Sequence, residues 1–140
     1  MNDARPAGFW VRLVALAIDC VVFALVRFSL RLAARRIWRG SLDDSVLLEL
    51  TILLFTLAFA GIYMMLLHAV GGQTIGKMLV GARVVLVDGD PVPLGASLIR
   101  FLGYFLSSFP LGFGYLMAGF RRDKRALHDL IAGTRVDRLA

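Results

Sequence analysis

The chain reads as an all-α integral membrane protein with two full transmembrane helices, a third apolar block broken near Pro110, and a small polar cap. Three observations predict this class. Of its 140 residues 59% are hydrophobic and the mean hydropathy is +0.75, above the roughly half-apolar content of an average soluble domain. The excess is gathered into three blocks, at about 10–32, 46–70 and 94–120, joined by a connector at 71–93 and followed by an amphipathic tail at 121–140. Sixteen lysines and arginines face ten acidic residues, a net charge of +6. They cluster at the borders of the blocks, which suits anionic lipid headgroups and argues against nucleic acid as a partner. One domain accounts for the whole pattern.

Residues 1–8 form a polar lead-in, where Pro6 and Gly8 disfavour a helix. Phe9 and Trp10 then suit the interface at the start of the first span. That span carries Arg12 and Asp19, seven residues apart and so on one face, roughly 10 Å apart along the axis. A carboxylate at bilayer depth costs on the order of 2.5–3.5 kcal/mol, so Asp19 needs a partner or a wet cavity. The expected partners are basic side chains brought in from distant parts of the chain. Arg27, near the span's far end, is placed to snorkel toward the headgroups. Cys20 is the single cysteine, which excludes an intrachain disulfide and reads as a small packing residue. A cleaved signal peptide is not expected, because the apolar run carries Asp19 and continues into Arg27 and Arg31.

Ser41, Asp43 and Asp44 are candidate caps for the second span, whose residues 50–67 carry no charge. Glu49 marks its entrance, and His68 at its exit reads as interfacial. In the connector, residues 73–80 suit a short helical segment, and ARVVLV (82–87) suits a strand before the turn Asp88-Gly89-Asp90-Pro91. The third block is awkward in length: as one helix its 27 residues reach about 40 Å, more than the ~30 Å hydrocarbon core needs. Pro110, with Gly103, Gly112 and Gly114 near it, marks a break that permits either a tilted span or a re-entrant hairpin. Charge counting favours the hairpin. If the block turns back, the N-terminus, connector and tail share a face with eleven basic residues against five, which places both termini in the cytoplasm. Residues 82–87 and 134–136 are both β-like, and only on a common face could they pair. In the tail, ALHDLI (126–131) suits a short amphipathic helix.

Signals for chemistry are sparse. GGQTIGKM (71–78) spells a phosphate loop up to its last position, where Met78 stands in place of the magnesium-binding hydroxyl. It also follows an apolar helix rather than a buried strand, so the glycines read as packing positions and Lys77 as a headgroup-level cation. His68 and His128 lie in different segments and make no ligand set. No nucleophile arrangement is present, and neither an enzyme, a metal nor a cofactor is expected. What remains is the set of ions near membrane depth: Arg12, Asp19, Arg27, Glu49, Arg100 and Asp129. They either pair to fix helix packing or place Asp19 on a proton or cation path. Arg12, Asp19, Arg100 and Asp129 make up the polar centre, with Lys77 as a weaker member.

These residues carry a resemblance to the RDD family of small bacterial membrane proteins, named for one arginine and two aspartates. Arg12 and Asp19 match the first two, and Asp129 in LHDLIAGT looks like the third. GGQTIGKMLVGARVV (71–85) is similar to the family's central loop, and Arg100 occupies the place of the arginine that follows it. The match covers about residues 7–136. The cluster of arginines at 31–39 and Cys20 are outside the family pattern. The resemblance implies a multi-pass protein of the bacterial inner membrane. It also implies a possible role in transport, since cation–proton exchange has been proposed for some members. Two spans and a hairpin cannot enclose a midplane site alone, so ion or small-solute transport is expected of a homo-oligomer. The alternative is a non-catalytic accessory or scaffold subunit of a larger membrane complex.

Overall fold

A computed structural model describes residues 5–37, 46–108 and 112–139. The first apolar block forms α1 (Phe9–Ile37), and the second forms α2 (Val46–Gly71). Both are long and apolar enough to cross a membrane, and most of each apolar stretch is exposed. A core helix of a soluble protein would bury that surface. Cys20, expected in packing, is likewise exposed on α1. Where the two helices diverge from the rest, Arg27 and Arg31 both pair with Glu49, at 3.1 and 2.7 Å. Arg27 is therefore tied to α2 rather than simply extended toward headgroups. The caps expected within 40–44 lie outside the described residues, as does Pro110.

After α2 the chain forms α3 (Ile75–Leu79), the strand β2 (Ala82–Leu86), α4 (Leu94–Ser108), α5 (Phe113–Phe120), α6 (Leu127–Ile131) and the strand β3 (Thr134–Arg138). The third apolar block is thus two shorter helices. Gly112 adopts a left-handed φ of 77°, and α5 folds back along α4. Tyr115 stacks on Tyr104 with ring centroids 6.0 Å apart. A Cβ on Gly114 would lie 2.6 Å from Ser107 Cα, so only glycine permits the approach.

The two β-like stretches pair antiparallel, Val84 opposite Val136. Alternation along β2 turns Ala82 and Val84 inward and Arg83 outward. Residues 1–8 read as a polar lead-in without a helix, and within them Arg5–Pro6 forms a third strand, β1, against β3, giving the order β1-β3-β2. Proline is tolerated there because an edge strand needs no donor on its outer side. The sheet closes over Ala7, Ala82, Val84, Val92 and Val136, with Val11 of α1 and Ala96 of α4 packed against them. Sequence-distant ends are thereby fixed beside the roots of α1 and α4, and the buried polar side chains lie next to this junction.

Candidate functional site

Two carboxylates are buried at the junction, and they are held in different ways. Asp129, on α6, is fully buried. Its Oδ2 accepts from Arg12 and its Oδ1 from Arg100, and Oδ2 also accepts from the backbone N–H of Ala126 at 3.1 Å. Arg12 reaches on to the carbonyls of Ala7 (3.1 Å) and Lys124 (2.7 Å), while Arg100 donates to the Thr134 hydroxyl at 2.7 Å. Burial pushes the Asp129 carboxyl up, but the Arg100 and Arg12 guanidiniums outweigh it and hold it well below the usual carboxylate range. Asp129 therefore stays ionised and ties α1, α4 and the tail together.

Asp19 departs from the expectation of basic partners. Among the described residues its donors are neutral: the Tyr63 hydroxyl and the Gly76 N–H on Oδ1, each at 2.9 Å, and the Thr74 hydroxyl on Oδ2 at 2.6 Å. The physical reason is steric as much as electrostatic. Ala15, one turn before Asp19, is small enough for α3 to lie directly on α1. A Cβ on Gly76 would sit 2.0 Å from the Ala15 carbonyl oxygen and 3.0 Å from Asp19 Cγ. The backbone of α3 thus fills the position an arginine side chain would need. Tyr63 completes the clasp by accepting the Ile75 N–H at 2.9 Å while it donates to Asp19.

His68 was expected at the interface, and Lys77 at headgroup level as the weaker member of the polar centre; both are buried, Lys77 7% and His68 1% exposed. The Lys77 ammonium donates to His68 Nε2 at 3.0 Å, and among the described residues no carboxylate forms an ion pair with it. Burial pushes the Lys77 amine below its ordinary value. His128 is buried on α6, and burial followed by the nearby Arg100 charge lowers it well below the ordinary histidine range. This favours the neutral ring, whose Nδ1 lies 3.1 Å from the Ser107 hydroxyl, and that hydroxyl also accepts the His128 backbone N–H at 3.1 Å. Serine and Gly103, four residues apart on α4, make the shallow face against which this histidine seats.

Of the five expected site residues, Arg12, Asp19, Lys77 and Arg100 line one cavity of about 30 Å³, with Tyr104, Tyr115 and His128 among the other walls. Asp129 sits behind its two arginines. A volume of this size admits a water or two and nothing larger. Tyr63, Thr74 and Gly76 belong to the same centre and were not singled out by sequence reasoning, while His68 was read only as interfacial. The signal available for them was weak: a phenol inside an uncharged run, and the clustering of Thr74 and Gly76 in the 71–78 motif. Among the described residues no group of three or more histidine, cysteine or acidic side chains could hold a metal ion.

Residues 6–133 match the RDD family. Among curated proteins, the uncharacterized protein YckC of Bacillus subtilis (strain 168) is 34% identical, over 97% of this chain and 87% of its own length. The uncharacterized protein YxaI of the same organism is 30% identical, over 94% of this chain and 97% of its own length. No solved structure matches the chain.

Proposed function

The chain belongs to the RDD family, and from that premise we propose that it is a multi-pass protein of the bacterial inner membrane that moves protons or small cations as a homo-oligomer. The placement draws on the sheet. β1, β2 and β3 lie in one sheet, so α1 leaves it, α2 returns to it, and the α4–α5 pair starts and ends beside it. With 15 residues α4 is about 22 Å long, short of a ~30 Å hydrocarbon core, so the pair is a re-entrant hairpin. The sheet-side face then carries eleven basic residues against five, and the positive-inside rule puts it in the cytoplasm.

One observation carries the transport reading. Asp19 and Lys77 line the same cavity, one a carboxylate held by neutral donors among the described residues and the other an amine held by an imidazole. A carboxylate locked between two guanidiniums, as Asp129 is, cannot trade its charge without breaking the fold. Asp19 and Lys77 are not locked in that way: the Thr74 hydroxyl on Asp19 can turn to accept as well as donate, and Lys77 faces an imidazole rather than a carboxylate. The cavity's size restricts the cargo of one protomer to a proton or a small cation. An oligomer would supply the remainder of a path through the bilayer.

The test is cation-coupled proton flux in proteoliposomes. Asp19→Asn is expected to abolish the flux while the protein keeps its helical content and still unfolds cooperatively, with a stability loss of only about 1 kcal/mol. Flux that is unchanged in Asp19→Asn, or absent from the unsubstituted protein, would refute the reading. The small cavity also accords with an accessory subunit of a larger membrane complex. A stoichiometric foreign partner after purification in mild detergent would favour that alternative, and a clean homo-oligomer would count against it.

A further inference from the structure

We infer that the groove between the start of α1 and the end of α5 is a binding site for one anionic phospholipid. The groove has a volume of about 540 Å³, within the range of small-ligand clefts (roughly 300–1,000 Å³). Its apolar wall is Phe9, Trp10, Leu116 and Phe120, and its charged end is Lys124 and Arg138. Trp10 and Phe120 are 73% and 88% exposed, a large aromatic surface for a position at the membrane border. The division of an apolar wall from a cationic end matches the division of a lipid into chain and headgroup.

Two further features point to an anion at the cationic end. In the β1–β3 pair Arg5 stands directly opposite Arg138, and like charges facing each other across strands are destabilising unless something lies between them. Nearby acids are already engaged elsewhere: Asp123 pairs with Arg121 and Asp137 with Arg135. Among the described residues none of Arg5, Lys124 and Arg138 forms an ion pair. A lipid phosphate fits this end, and its acyl chain fits the aromatic wall.

Lys124 also links the groove to the polar centre. It is the one non-glycine residue with a left-handed backbone among those described, at φ 52°, a conformation uncommon for lysine. Arg12 donates to its carbonyl at 2.7 Å. The residue whose backbone is clasped by the Arg12–Asp129 network thus lines the groove, its ammonium resting on the Gly119 carbonyl at 3.3 Å. This inference rests on the membrane placement above and is independent of whether anything is transported.

The experiment follows Trp10 fluorescence in mixed micelles, with Trp38→Phe as background so that Trp10 is the sole tryptophan. Quenching by phosphatidylglycerol with brominated acyl chains is compared with quenching by brominated phosphatidylcholine. Phosphatidylglycerol is expected to reach half-quenching at about thirty-fold lower mole fraction, as two headgroup-level cations imply. Lys124→Gln with Arg138→Gln should bring its curve onto that of phosphatidylcholine. Arg138→Gln alone alters only an exposed side chain and should cost about five-fold, which keeps the test open if the double variant does not fold. Coincident curves for the two lipids in the background protein would overturn the inference. So would an equal loss from Arg83→Gln with Arg122→Gln, outside the groove, because diffuse attraction to the basic face would then suffice.

Discussion

The two buried carboxylates should respond very differently to the same substitution. Asp129→Asn leaves Arg100, 1% exposed, without a counter-charge and turns an amide N–H₂ toward a guanidinium. Removing one member of a buried ion pair costs about 3–5 kcal/mol. Asp19→Asn meets neutral partners instead. Its Oδ1 can keep the Tyr63 and Gly76 donors, and its N–H₂ can donate to the Thr74 hydroxyl, which rotates to accept. One exchanged hydrogen bond of this kind costs about 1 kcal/mol. Unfolding in mixed micelles at rising dodecyl sulfate fraction, followed by circular dichroism, measures both. Equal losses for the two variants, or a loss below about 1 kcal/mol for Asp129→Asn, would refute the separate roles given to the two groups.

Further outcomes follow from the same contacts. Gly76→Ala places a methyl 2.0 Å from the Ala15 carbonyl, so α3 must leave α1, and a stability loss at or above the usual 1–3 kcal/mol for overpacking is expected in the same unfolding assay. Asp129 has a folded pKa below its unfolded one, so its stabilisation is present above about pH 4 and fades as pH falls further, and a melting series should show an acid limb that Asp129→Asn flattens. Lys77 also titrates lower in the folded protein. Stability linked to it is full above about pH 10.5 and is lost as pH falls from there toward the folded value, and Lys77→Met should remove that slope just below about pH 10.5.

How far the fold could be read in advance depended on whether its cause was local. α1 and α2 follow from uninterrupted apolar runs, and α3 and α6 from short stretches bounded by Gly72 and Gly133, both with left-handed φ. The β2–β3 pairing was visible because β-branched residues recur at 84–85 and 136. β1 was not, since Arg5-Pro6 has no strand propensity and pairs only because α1 and β3 bring it to the edge. At the site, Arg12, Asp19, Arg100 and Asp129 stood out as charges in apolar surroundings. Which charge meets which did not. The arginines meet on Asp129 because α6 seats against Gly103 and Ser107 of α4, and Asp19 is closed off because Ala15 and Gly76 let two backbones touch. Such close approaches are made by residues with almost no side chain, and hydropathy carries little trace of them. His68 misled for a related reason: a polar residue at the end of an apolar helix suits an interface equally well, and it is buried because Lys77 of α3, which packs on α1, meets it.

The arrangement of sheet, hairpin and polar centre is tested most directly by which side of the membrane holds the C-terminal strand. Leu139→Cys, in a Cys20→Ser background, places a thiol at an exposed position just beyond β3. A membrane-impermeant thiol reagent is expected to leave it unlabelled in intact spheroplasts and to label it in inverted vesicles, with Ser41→Cys showing the reverse pattern. Labelling of Leu139→Cys from outside, with Ser41→Cys protected, would place the sheet outside the cell and contradict the assignment of the basic face to the cytoplasm. Labelling of both from outside would mean that α1 and α2 do not carry the chain across and back.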